Sequence, residues 1–202
     1  MRLLTLSLIA VLSACSSPDE GIAIRGDSTA LASGAGLRKA FNFAPSLDGE
    51  RWWNCFRGDA FAYNDGEGGQ SIAAMRDKMV ADQQHRDWPT IIYDRRNGGE
   101  TAEDYVAALA DAVATLETDD FLILPQVPFA EGKEDADYQA VMDEIDAEVA
   151  RRWPSNTFDA ATRTAFVAAL SPASTRLDGL HRNAEGGRIE CRFIKEWTAA
   201  NW

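Results

Sequence analysis

"AIRGDSTA" (residues 23–30) sets a short apolar run directly against an acid and a hydroxyl. Two readings of Ser28 compete. It is either the small polar cap of a helix that follows a strand, a role serine fills well, or a nucleophile presented at a strand end. Partners elsewhere in the chain decide between them. Similar apolar runs recur as "AFAY" (60–63), "TIIY" (90–93) and "FLILPQV" (121–127), short enough for strands of a sheet buried on both faces. "NTFDA" (156–160) reads as a weaker fifth strand. Between them, "GQSIAAMRDKMVADQ" sets Ile72, Met75 and Met79 on one side of a helix. "TAEDYVAALADAVATL" does the same with Tyr105, Leu109, Val113 and Leu116, behind Thr101 and Asp104 at capping-box spacing. Further helices are expected around Tyr138, Val141, Ile145 and Val149, and around Ile189, Phe193 and Trp197. Strand alternating with helix predicts a three-layer α/β/α sandwich on a parallel sheet.

The N-terminus sets the expected compartment. Arg2, an apolar run from Leu3 to Leu12 and small residues before Cys15 resemble a bacterial lipoprotein leader, in which Cys15 is acylated after cleavage. On that reading residues 1–14 are a signal peptide, 15–21 a lipidated tether and 22–202 one domain. The protein is then expected in the cell envelope, held on the periplasmic face by its N-terminal lipid. A net charge of −12 over 202 residues argues against nucleic acid as a partner. Cys55 and Cys191 remain, and an oxidising compartment allows them one disulfide.

In a parallel sheet of this kind a ligand sits beyond the carboxyl ends of the strands. The residues after the runs are "NDGEGGQS" (64–71) and "DRRNGG" (94–99), and "DGLHRN" (178–183) precedes the last helix. The chain has two histidines. His85 stands just before a strand and therefore at the opposite edge. His181 stands three residues after Asp178, which could hold one imidazole nitrogen while the other faces Ser28. A serine hydroxyl needs such a base to attack at neutral pH.

"GDS" after the first run, "NDGEGGQS" after the second, an asparagine after the third and "DGLH" before the final helix resemble, in order, the blocks of the SGNH (GDSL-type) hydrolase superfamily. The resemblance spans residues 22 to about 200. It implies a flavodoxin-like sheet, Ser28 as nucleophile, His181 as general base and Asp178 as its orienting carboxylate. The oxyanion hole it implies takes the backbone N–H of Ser28, that of Gly69 (Gly68 being the neighbouring alternative) and the side chain of Asn97. One block departs from the pattern: Arg95 stands where the family has glycine, adding bulk and a cation beside the hole. That cation either pairs with local acids such as Asp94 or Glu100, or binds an anionic group on the substrate.

The resemblance implies a serine esterase of small acyl esters, acetyl foremost, with an acylated saccharide as a candidate substrate and neither metal nor cofactor. The alternatives are an acyltransferase to a sugar hydroxyl that uses the same triad, and a catalytically silent binding lipoprotein.

Overall fold

The computed structural model describes residues 21–27, 61–128, 136–176 and 181–202. Cys15, Ser28, Cys55 and Asp178 lie outside the described residues, as does the expected leader. Four strands, β1 (Gly21–Gly26), β2 (Phe61–Asn64), β3 (Thr90–Tyr93) and β4 (Phe121–Ile123), are parallel throughout and pair in the order β2-β1-β3-β4. The helices are α1 (Ile72–Ala81), α2 (Ala102–Val113), α3 (Ala136–Arg152), α4 (Ala160–Leu170) and α5 (Ala184–Asn201).

Side chains alternate across a strand, so each run feeds two cores. Ile22 and Ile24, Ile91 and Tyr93, and Leu122 and Leu124 pack with Phe166 and Leu170 of α4 and Phe193 and Ile194 of α5. On the other face Ile92, Phe121 and Ile123 pack with Ile72, Met75 and Met79 of α1, Tyr105 and Leu109 of α2, and Ile145 and Val149 of α3. The expected three-layer α/β architecture on a parallel sheet is therefore the observed one. The strand order turns back between β1 and β3, which makes the carboxyl ends of that pair the crevice of the fold.

The helix starts follow local chemistry. Ser71, Thr101, Asp159 and Asn183 each cap a helix by accepting a backbone N–H three residues on. Thr101 also donates its hydroxyl to Asp104 Oδ2 at 2.8 Å, so the expected Thr101/Asp104 pair is reciprocal.

Three expectations are corrected. The run 121–127 is strand only over Phe121–Ile123; Leu124 N still donates to Ile92 O at 2.9 Å, but Gln126 N, the next donor on that side, turns to Asp146 Oδ1 at 2.9 Å, and Pro125 between them has no N–H. The fifth strand reduces to one parallel bridge, Ile123 to Thr157, because Asp159 already caps α4, a helix absent from the sequence reading. β1 begins at Gly21, paired with Phe61, one residue before the expected domain boundary. Cys191 is disulfide-bonded, and its partner falls outside the described residues. No helix among the described residues is long and apolar enough to cross a membrane.

Candidate active site

The segment after β2 shows how the chain presents backbone donors. Asn64 Oδ1 accepts from Gly66 N at 2.9 Å, and Gln70 N donates to Glu67 O at 3.3 Å, closing a turn around Gly69. Gly69 has φ +74, a conformation side chains rarely adopt, and a Cβ there would meet nothing within 4 Å. The requirement for glycine is thus conformational and its surroundings are open. Gly69 does not cap α1, since Ser71 does so, and Gly69 stands exposed just ahead of the helix N-terminus, where the peptide dipoles favour negative charge.

Asn97, in the segment after β3, is exposed at one side yet joins three chain segments. Its Nδ2 donates to Asp27 Oδ2 at 2.7 Å, to Gln70 O at 3.0 Å and to Arg95 O at 3.1 Å. A carboxamide has two N–H bonds, so these three acceptors already share them, and a ligand oxygen would have to displace one. Asp27 is the buried residue immediately before Ser28. The structure thus brings together the ends of β1, β2 and β3, each carrying one of the motifs singled out above.

Arg95 is only 2% exposed. Burial lowers its pKa, with Arg182 adding repulsion while Tyr138, Tyr93 and Asp27 oppose the shift. Arg96 donates through Nε to Glu100 O at 2.6 Å and lies over the Tyr138 ring at 5.1 Å. Asp94 is buried, and burial together with the charge of Asp27 raises its pKa well above the ordinary carboxylate range. Gln126, a residue the sequence reading passed over, holds this segment: its Nε2 donates to Asp94 O at 2.7 Å and its Oε1 accepts from Arg96 N at 3.3 Å. An amide inside the apolar run 121–127 is the signal that could have found it.

His181 is half-buried, on the segment that leads into α5. The neck of that segment is an antiparallel bridge between Arg176 and Arg182, reinforced by Asn183 N donating to Thr175 O at 3.0 Å. Arg176 donates through Nε and Nη2 to Leu170 O. Burial, with Arg182 and Arg95 nearby, pushes its pKa down to about 10.

His85 stands elsewhere. Its Nδ1 lies 2.8 Å from Asp82 Oδ2, and its ring stacks on Tyr63 at 3.9 Å. Tyr63 pairs with Ala23, four residues before Asp27 and therefore roughly 13 Å back along β1 at strand rise. Among the described residues no cluster of three or more His, Cys, Asp or Glu is arranged to hold a metal ion.

No protein-family model matches the chain, and no curated protein matches it in sequence. Solved structures do match in fold. A lipase/acylhydrolase from Enterococcus faecalis superposes with a TM-score of 0.68 at 12% identity, covering 90% of this chain and 96% of that one. A member of the lipolytic protein G-D-S-L family from Veillonella parvula gives 0.63 at 16% identity, covering 88% and 97%. An acetyl-xylooligosaccharide esterase from Geobacillus gives 0.59 at 16% identity, covering 91% and 96%. With its parallel β2-β1-β3-β4 sheet and motif-bearing strand ends, the chain has the fold shared by these lipolytic and esterase structures.

Proposed function

We propose that this chain is a serine esterase that hydrolyses small acyl esters, acetyl esters of saccharides among them. One observation carries the reading: Asn97 Nδ2 donates to both Asp27 Oδ2 and Gln70 O, so the motif-bearing ends of three strands meet at one point. The fold likeness to acylhydrolases and to an acetyl-xylooligosaccharide esterase supports the reaction class.

In this reading Ser28 Oγ attacks the ester carbonyl carbon while His181, oriented by Asp178, takes the hydroxyl proton. The oxyanion accepts from the Ser28 and Gly69 N–H groups and from Asn97 Nδ2, which gives up one of its present acceptors. The bond to the alcohol oxygen then breaks and His181 returns the proton to that oxygen. Water attacks the acyl-enzyme by the same route and frees the acid. No cofactor enters. Arg95, buried beneath the Asn97 segment, contributes through its field, favouring esters that carry an anionic group over neutral ones. Cys15 is the lipid attachment point and Cys55 the disulfide partner of Cys191, which places the domain in the cell envelope.

Turnover of aryl acetates tests the chemistry. His181→Ala abolishes it and His85→Ala leaves it near wild type; a folded His85→Ala protein without activity would overturn the assignment. Product analysis with and without a sugar acceptor distinguishes hydrolysis from acyl transfer, with free acid the expected product. Loss of membrane association in Cys15→Ala tests the anchor, and alkylation of the secreted form counts its thiols, with none expected from Cys55 and Cys191.

A further inference from the structure

Glu190 is fully buried, at 0% exposure, on a face of α5 that otherwise carries Gly186, Phe193, Ile194 and Trp197. Its Oε1 accepts from Arg182 Nε at 2.7 Å and from the Tyr93 hydroxyl at 2.9 Å, and Arg182 Nη2 donates to that same hydroxyl at 3.2 Å. The three side chains close a ring. Tyr93 ends β3, four residues before Asn97, and Arg182 directly follows His181.

Burying an ion pair costs several kcal/mol per charge, and packed apolar side chains of the same volume are often as stable or more so. Stability alone therefore gives little reason for this trio. What it supplies is geometry. The guanidinium fork engages two partners from two elements at once, which an ammonium cannot do in the same way. The backbone beside it is equally fixed. Gly186, in the first turn of α5, lies so close to Thr175 O that a Cβ would collide with it and would press on the Arg182 stem. Asn183 caps the helix and ties back to Thr175.

We infer that Arg182, Glu190 and Tyr93 form a positioning triad that holds His181 in register with the carboxyl end of β3. The proposal rests on His181 being the base, and none of the three touches the reacting atoms. Misplacing a catalytic group by about 1 Å can cost on the order of a hundredfold in rate.

The test uses Arg182→Lys, which keeps the charge beside Glu190 and so the fold, Tyr93→Phe, which removes one hydroxyl, and Glu148→Gln as an exposed ion-pair control. Each variant is assayed on an aryl acetate, and its His181 ring-proton NMR signal is followed, assigned by comparison with His85→Gln. The expected result for Arg182→Lys is a tenfold or greater fall in kcat with KM within twofold, an unchanged Tm and a broadened or shifted His181 signal. Tyr93→Phe gives a smaller change of the same kind, and Glu148→Gln gives none. Wild-type kcat and an unmoved His181 signal in Arg182→Lys would overturn the triad, as would a loss that merely tracks the unfolded fraction. An inactive wild type whose His181 signal still moves in Arg182→Lys would overturn the esterase reading and leave the positioning role standing.

Discussion

Two buried arginines face opposite layers of the sheet and are held charged by different sets of partners. Arg25, on β1, is 2% exposed and bonds Asp65 Oδ2 at 2.5 Å and Asp82 Oδ2 at 2.6 Å, with the Tyr63 ring 5.1 Å from its guanidinium carbon. Burial would lower its pKa, yet the two carboxylates outweigh that and raise it; Asp82 in turn is held well below the ordinary carboxylate range, Arg25, Gln84 N and His85 outweighing burial. Arg182, on the other face, shares one carboxylate with a tyrosine and has Arg176 for a cross-strand neighbour, with Arg95 near enough to feel its charge. The first network meets one cation with two anions and fastens β1 to α1. The second joins Arg182 to Glu190 and Tyr93 and so fastens α5 to the carboxyl end of β3. Both guanidiniums stay charged despite burial, so the surrounding charge does not separate the two networks; the elements that each one fastens together do.

The largest effect should come from breaking the first network. Arg25→Met leaves Asp65 and Asp82 without their shared cation and should lower the unfolding free energy by about 3–5 kcal/mol, read from urea midpoints; a loss under 1 kcal/mol would mean the carboxylates find water instead. On the other side, Asn97→Ala should lower kcat about a hundredfold with little change in KM, because an oxyanion-hole bond strengthens in the transition state. An equal rise in KM would make Asn97 a ground-state binder. Arg95→Met should raise KM for anionic esters by roughly threefold to tenfold, the reach of one partly screened charge, and leave neutral esters alone; equal effects on both would reduce Arg95 to packing.

The smallest effect is one of pH. Burial raises Asp146 to about 7, against the pull of the Gln126 N–H at 2.9 Å. Between about pH 4, where a solvated aspartate titrates, and pH 7, the folded chain keeps a proton that the unfolded chain has released, so stability falls as pH rises across that window. Asp146→Asn, which still accepts the Gln126 N–H, should gain a few degrees in Tm over wild type at pH 8 and little at pH 5. A gain independent of pH would contradict the assignment.

Much of this arrangement was legible in the sequence, and the gaps have physical causes. "TIIY" coincides with β3 because a four-residue apolar run between a proline and an acid has few other fates. Thr101 announced its helix through a local capping bond that needs nothing distant, whereas Ser71, which caps α1 in the same way, was not singled out. Helix α4 was missed because "NTFDA" reads as strand until Asp159 is seen to cap, and the single Thr157 bridge is what remains of that strand. Gly69, Asn97 and His181 were singled out as candidates through motif order, whereas Gln126 and Glu190 were not, since their partners lie 32 and 97 residues away. Glu190 still left a trace as a lone acid on an apolar helix stripe. The burial of Arg95 left none, because its neighbours come from other segments of the fold.

Intact-mass analysis after a fluorophosphonate probe, applied to wild type and Ser28→Ala, reads the nucleophile directly. One adduct is expected on the wild-type chain, mapped to the peptide containing Ser28, and none on the variant. A folded wild-type protein that takes up no probe, or a Ser28→Ala protein that is still labelled, would contradict Ser28 as the nucleophile.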